Sequence, residues 1–120
     1  MAVRASLRVQ SDIAGLAQVA QTKLITAGSE LARNILKYAG EQGGQMSISL
    51  VWAGERRGVR AIFSDQGPGI PDIAAAMKDG YSTGGSLGLG LPGARRLVDE
   101  FSLESAPGKG TVITITQWRR

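Results

Sequence analysis

The chain has 120 residues, of which 14 are Lys or Arg and 10 are Asp or Glu, giving a formal charge of +4, and it contains neither cysteine nor histidine. Disulfides, thiolate metal centres, cysteine nucleophiles and histidine-dependent triads are therefore excluded, and a catalytic base is expected to be a carboxylate. The arginines are scattered rather than massed, which reads as a solvated surface and not a nucleic-acid footprint, and no apolar run reaches the roughly 20 residues of a membrane span.

Val3 to Val9 alternates Val3, Ala5, Leu7 and Val9 with Arg4, Ser6 and Arg8, a period that predicts a half-buried strand. Asp12 follows as an N-cap for a helix running to about Tyr38, with Leu24, Ala27, Leu31, Ile35 and Tyr38 on its apolar stripe. Gly28 interrupts that stripe at a cost of about 1 kcal/mol relative to alanine. Gly40, Gly43 and Gly44 end it. Met46 to Trp52 and Val59 to Ser64 read as strands of a hairpin closed by the polar turn from Ala53 to Gly58. Residues 65–91 form a long glycine-bearing connection with one short helix from about Pro71 to Lys78, a length usual for functional or mobile connections. Pro92 suits the first position of a helix running to Glu100. Phe101 to Ser105 and Thr111 to Trp118 close the chain as strands, and Trp118 reads equally as an interface residue or as edge-strand core. The sum is about five strands and three helices: one domain over residues 1–120, a two-layer α/β sandwich with helices on one face of a mixed, mostly antiparallel sheet. With no signal peptide, the expected location is the cytoplasm, with no nucleic-acid or membrane partner.

Three patterns carry chemistry. Glu30 and Asn34 lie four residues apart on the long helix and so share a face, where the carboxylate can accept a proton and the amide oxygen can serve Mg2+. Asp65 ends an apolar run and precedes Gly67 and Gly69. A carboxylate there can accept a hydrogen bond from an exocyclic amine, selecting adenine over guanine, with Gly69 and Ile70 as a wall against the base. Gly84-Gly85-Ser86-Leu87-Gly88-Leu89-Gly90-Leu91 offers unhindered backbone N–H groups just before a helix, an anion cradle to which Ser82 and Thr83 add hydroxyls. Each pattern also has a plain structural reading: a solvated pair, a turn, a surface loop.

Gly88 to Gly93 formally matches the G-x-G-x-x-G dinucleotide fingerprint, but no buried strand precedes it and no second βαβ half follows. A protein-kinase glycine loop lacks its catalytic-loop signature here, and Gly108-Lys109-Gly110-Thr111 lacks the upstream glycine of a Walker loop.

With Glu30, Asn34, Asp65-x-Gly67-x-Gly69, the Gly84 to Leu91 loop and Gly108-x-Gly110-Thr111 in this order, the chain resembles the GHKL (Bergerat-fold) ATPase superfamily from about Gln21 onward. Ser29 to Asn34, Asp65 to Asp72, Asp79 to Thr83 and Arg96 to Phe101 look like the RsbT-type serine/threonine switch kinases of bacterial stressosomes. The resemblance implies ATP and Mg2+, phosphoryl transfer to STAS-domain scaffold and antagonist proteins, and activation of a partner phosphatase after release. It implies Glu30 as general base, Asn34 as Mg2+ ligand and Asp65 on the adenine amine. Gly67 and Gly69 would shape the base pocket, Thr111 would support Asp65 and a bound water, and Gly84, Gly85, Leu87, Gly88 and Gly90 would bind phosphates. Arg33 and Lys37 are further candidates for phosphate or substrate contact. Two alternatives share the motifs, an anti-sigma factor kinase and a nucleotide-gated interaction module. One departure stands out: relatives place a whole helix and a loop between a first strand and the Glu30 helix, whereas Gln10 to Gln21 leaves room only for a stub or marks an omitted loop.

Overall fold

The computed structural model describes residues 2–38, 43–66, 90–105, 108 and 110–120. Helix α1 spans Ala2–Ala14 and helix α2 spans Gln18–Tyr38. Strands β1 (Gly44–Ala53) and β2 (Arg56–Asp65) form the expected hairpin, helix α3 spans Gly90–Leu97, and strands β3 (Glu100–Ser105) and β4 (Thr111–Trp118) follow. The helix expected near Pro71 to Lys78 lies outside the described residues.

The expected first strand is a helix, and the reason is packing. Leu7, Ser11 and Ala14 are fully buried, at the i, i+4, i+7 spacing of one helical face, while Val9, placed on Leu7's face by the alternation, is 54% exposed. Asp12 consequently sits in the last turn of α1 and not at the start of the next helix. Gly15 (φ 77°) ends α1: its N–H donates to Asp12 O at 3.1 Å and the Leu16 N–H to Ser11 O at 3.0 Å, the paired bonds of a Schellman motif. The segment between α1 and the Glu30 helix is therefore a short connection between two full helices. The stub and the omitted loop are both replaced by this arrangement.

Gly28 belongs to the same contact. A Cβ on it would overlap Leu7 Cδ1 and reach within 3.7 Å of Phe63, so the bare backbone at this point of α2 is what admits Leu7 to the core. The helix propensity lost at Gly28 is offset by burial of a leucine worth about 2 kcal/mol.

Among the described residues the sheet has four strands in the order β1-β2-β4-β3, every pairing antiparallel. Val59, Ala61 and Phe63 of β2 and Ile113 and Ile115 of β4 point to one face, where α1, α2 and α3 cover them in a single apolar cluster. Ile62, Ser64 and Thr114 alternate onto the other face. β4 is thus an inner strand, and Trp118 is neither edge nor interface: it is 7% exposed, with the Arg56 guanidinium 4.7 Å over its ring and its indole N–H donating to Glu100.

Helix α3 begins at Gly90, two residues before the expected start, and ends three before Glu100, which opens β3 instead. Pro92 still falls within the first turn, where a missing N–H has no intrahelical partner to lose. No helix among the described residues is long and apolar enough to cross a membrane.

Candidate functional site

The register lays three polar side chains in a row across one end of the sheet. Asp65, the last residue of β2, pairs with Thr111, the first of β4, which pairs in turn with Ser105, the last of β3. Asp65 is 5% and Thr111 2% exposed. The Ser105 hydroxyl donates to Gly110 O at 2.9 Å and lies 3.0 Å from the Thr111 hydroxyl. Gly110 has φ 77°, and a Cβ there would overlap the carbonyl of Asp65. The glycine before Thr111 is thereby explained twice, by its left-handed backbone and by the closeness of β2.

Helix α2 delivers the second group to this same end. Near its start the Ala20 carbonyl accepts from Gln117 Nε2 at 3.1 Å, and near its finish Ile35 rests on Gly44, the β1 partner of Asp65, where a Cβ would overlap Ile35 Cγ2. The helix therefore runs from the Trp118 end of the sheet towards the Asp65 end, carrying Glu30 and Asn34 in its second half. Glu30 is 7% exposed and is not the solvated helix residue of the plain reading. Its carboxylate pairs with Arg33 at 3.4 Å, so Arg33, 63% exposed at its side chain, is engaged with Glu30. Asn34 Nδ2 is buried with no hydrogen-bond partner among the described residues. Turning the amide over puts Oδ1 in the same place, so the position can offer a donor or an acceptor to a group that is not part of the chain. A buried amide atom in want of a partner, beside a buried carboxylate, fits a polar ligand.

Gly67, Gly69, Ile70, Ser82, Thr83, Gly84, Gly85, Ser86, Leu87 and Gly88 lie outside the described residues, as does the side chain of Lys37. Gly90 is the first residue of α3, with Leu91 (3% exposed) and Ala94 (fully buried) anchoring that helix in the core against α2. Among the described residues no group of three or more metal-ligating side chains forms. A single amide would leave most of a Mg2+ shell to phosphate and water, the arrangement that ion prefers.

A family model described as histidine kinase-, DNA gyrase B- and HSP90-like ATPase matches residues 19–120. The chain belongs to this GHKL ATPase family. Within it the chain is of the RsbT serine/threonine-kinase type: it is 53% identical over 106 residues to the serine/threonine-protein kinase RsbT of Bacillus subtilis (strain 168), covering 88% of this chain and 78% of that one. An anti-sigma F factor of Bacillus licheniformis is 29% identical over 99 residues, covering 80% and 68% of the two chains. Among solved structures, the mycobacterial sensor histidine kinase MprB superposes with a TM-score of 0.62 at 23% identity, over 83% of this chain and 72% of that one, a likeness of fold.

Two polar residues that hold this GHKL domain together escaped the sequence reading. Ser105 looks like any strand-end serine. Gln117, 3% exposed, donates to Ala20 O and, at 3.2 Å, to Leu97 O, while its Oε1 accepts the Asp99 N–H at 2.8 Å. It ties α2, the end of α3 and the entry to β3 into one unit. The only available signal was a glutamine at an inward position of an otherwise apolar alternation.

Proposed function

We propose that this chain transfers the γ-phosphoryl group of ATP, bound with Mg2+, to a serine or threonine hydroxyl of STAS-domain scaffold and antagonist proteins of a stressosome. It acts in the cytoplasm and, once released, binds and activates a partner phosphatase. The observation that carries this reading is the burial of Glu30 one helical turn before Asn34, at the end of the sheet where Asp65 and Thr111 meet. The 53% identity to a serine/threonine-protein kinase supports the choice of acceptor.

ATP supplies the activated phosphoryl group. The chain's own groups bind, orient and move a proton. Asp65 accepts the adenine amine beside Gly67, Gly69 and Ile70, and Thr111 backs it. Gly84, Gly85, Leu87, Gly88 and Gly90, with Ser82, Thr83 and Ser86, supply phosphate-binding groups, and α3 adds its N-terminal dipole. Asn34 holds Mg2+. Glu30 takes the proton of the attacking hydroxyl as the new P–O bond forms and ADP departs, its carboxylate oriented by Arg33.

Intact-mass analysis of STAS-domain proteins incubated with the chain and Mg-ATP tests the reading. The expected result is gain of one phosphoryl group, lowered about 10²-fold or more in rate by Glu30→Gln with ATP binding retained. Asp65→Asn is expected to weaken ATP binding itself. Phosphorylation at the wild-type rate by Glu30→Gln would remove the base assignment. The likeness to anti-sigma F factors favours a second reading, an anti-sigma factor kinase, which capture of a sigma factor in place of phosphatase activation would establish.

A further inference from the structure

We infer that the groove between the start of α2 and the end of α3 is a docking surface for an acidic segment of a partner protein, anchored by an apolar side chain; the groove is separate from the nucleotide site and independent of that assignment. It encloses about 330 Å3 between Val19 and Lys23 on one helix and Leu97 and Val98 at the end of the other, with Asp99 and Arg120 beside them. Gln117 also lines it, six residues along β4 from Thr111 and so about 20 Å from the Asp65 end. An occupant leaves that end open.

The walls of the groove are apolar and fixed. Val19 is 67% exposed, more than any other large apolar residue among the described ones, and Leu97 and Val98 are half-buried. Gln117 holds the two helices at a set spacing: its two Nε2 protons are spent on Ala20 O at 3.1 Å and Leu97 O at 3.2 Å, and its Oε1 accepts the Asp99 N–H at 2.8 Å. The buried amide has no proton left for a ligand, so what the groove offers is apolar contact from a preorganised surface. A volume near the lower bound of small-molecule sites, roughly 300 Å3, suits one anchoring side chain.

The charge around this apolar strip selects the rest of the occupant. Lys23, Arg96 and Arg120 line the groove against a single carboxylate, Asp99, which already accepts the Trp118 N–H and the Arg120 guanidinium. Lys23 has no carboxylate within ion-pair distance among the described residues. The dipole of α2 adds to the field, since its first turn has no acidic residue and Ala17, whose carbonyl accepts the Gln21 N–H at 2.9 Å, has no side-chain oxygen to cap it. Aspartate or glutamate flanking the anchor meets this field favourably. A second copy of the chain, at a formal charge of +4, brings like charge instead.

The test is selection of short random peptides on the full chain, the enriched sequences then being synthesised with a fluorescent label and titrated against the chain and its variants. The expected peptides combine aspartate or glutamate with leucine or an aromatic residue. Their binding should shift the amide resonances of Val19, Ala20 and Val98, survive saturating Mg-ADP and weaken with added salt. Lys23→Glu is expected to weaken it about tenfold. Val19→Asp should abolish it, although a carboxylate at the positive pole of α2 leaves the fold at least as stable by urea unfolding. Enrichment of no peptide, of peptides without acidic residues, or of peptides indifferent to both variants would overturn the inference. So would inorganic phosphate alone producing the same amide shifts, or a dimer of the chain that Lys23→Glu takes apart. Asp65→Asn is expected to leave peptide binding intact, so a failure of the nucleotide assignment and a failure of the docking surface are read separately.

Discussion

Gly110 shows how closely single positions in this domain are specified. Its left-handed backbone would cost any side chain about 1 to 2 kcal/mol, and a Cβ would be driven into the Asp65 carbonyl, which belongs to a paired strand and cannot move alone. Gly110→Ala is accordingly expected to lower the unfolding free energy by roughly 2 to 4 kcal/mol and to weaken ATP binding, both measurable by urea denaturation and nucleotide titration. Gly43, Gly54 and Gly108 also have positive φ but meet nothing within 4 Å, so alanine there meets backbone strain without overlap. The family resemblance set Asp65 in one motif and Gly110-Thr111 in another, and implied that Thr111 supports Asp65. It did not disclose why the glycine is needed, because the obstructing carbonyl is 45 residues away in the chain.

At the scale of elements, the α1–α2 contact decides the N-terminal half. An isolated reading of Gly28→Ala forecasts stabilisation by about 1 kcal/mol from helix propensity. The structure forecasts the reverse, because Leu7 is fully buried and would have to leave its rotamer, an overpacking cost of about 1 to 3 kcal/mol. A double-mutant cycle with Leu7→Ala separates the two: Gly28→Ala should destabilise the wild type and become neutral or stabilising once Leu7 is truncated. The alternation from Val3 to Val9 misled for the same physical reason. A short apolar segment satisfies period 2 and period 3.6 at once, and only the slot opened by Gly28 selects the helical face. Gln117 is the polar counterpart of this contact. Gln117→Leu leaves the Leu97 carbonyl and the Asp99 N–H without their partner, and should cost about 2 to 3 kcal/mol by thermal or urea unfolding despite adding apolar volume.

Across the whole molecule the two ends of the sheet have separate tasks. The Asp65 end gathers buried polar side chains, Asp65, Thr111 and Glu30, with the buried Asn34 amide one helical turn beyond Glu30. The opposite end is closed by interactions within the chain: Trp118 N–H to Asp99 at 2.8 Å, the Trp118 indole to Glu100, Arg120 to Asp99, Arg60 to Thr116 at 3.0 Å, and the Arg119 N–H to Arg57 O at 2.7 Å. Trp118→Phe keeps the ring under Arg56 and deletes one hydrogen bond to a half-exposed carboxylate. It is expected to lower stability by no more than about 1 kcal/mol and to leave the KM for ATP unchanged, a division that a kinetic and a denaturation series would verify together.

The sequence alone determined the family, the order of the four described strands along the chain, the long helix bearing Glu30 and Asn34, and the grouping of Asp65 with the glycines around Thr111. The strands and the long helix rest on local spacing and turn chemistry, which short windows of sequence contain, whereas the family and the tie between Asp65 and Thr111 rest on resemblance of motifs spread along the chain. Tertiary structure alone decided that the first segment is a helix, that β4 is an inner strand shielding Trp118, that Glu30 is buried, and that Ser105 and Gln117 matter. Each of those outcomes depends on which distant backbone or side chain occupies the adjoining space, and that is settled only when the layers pack.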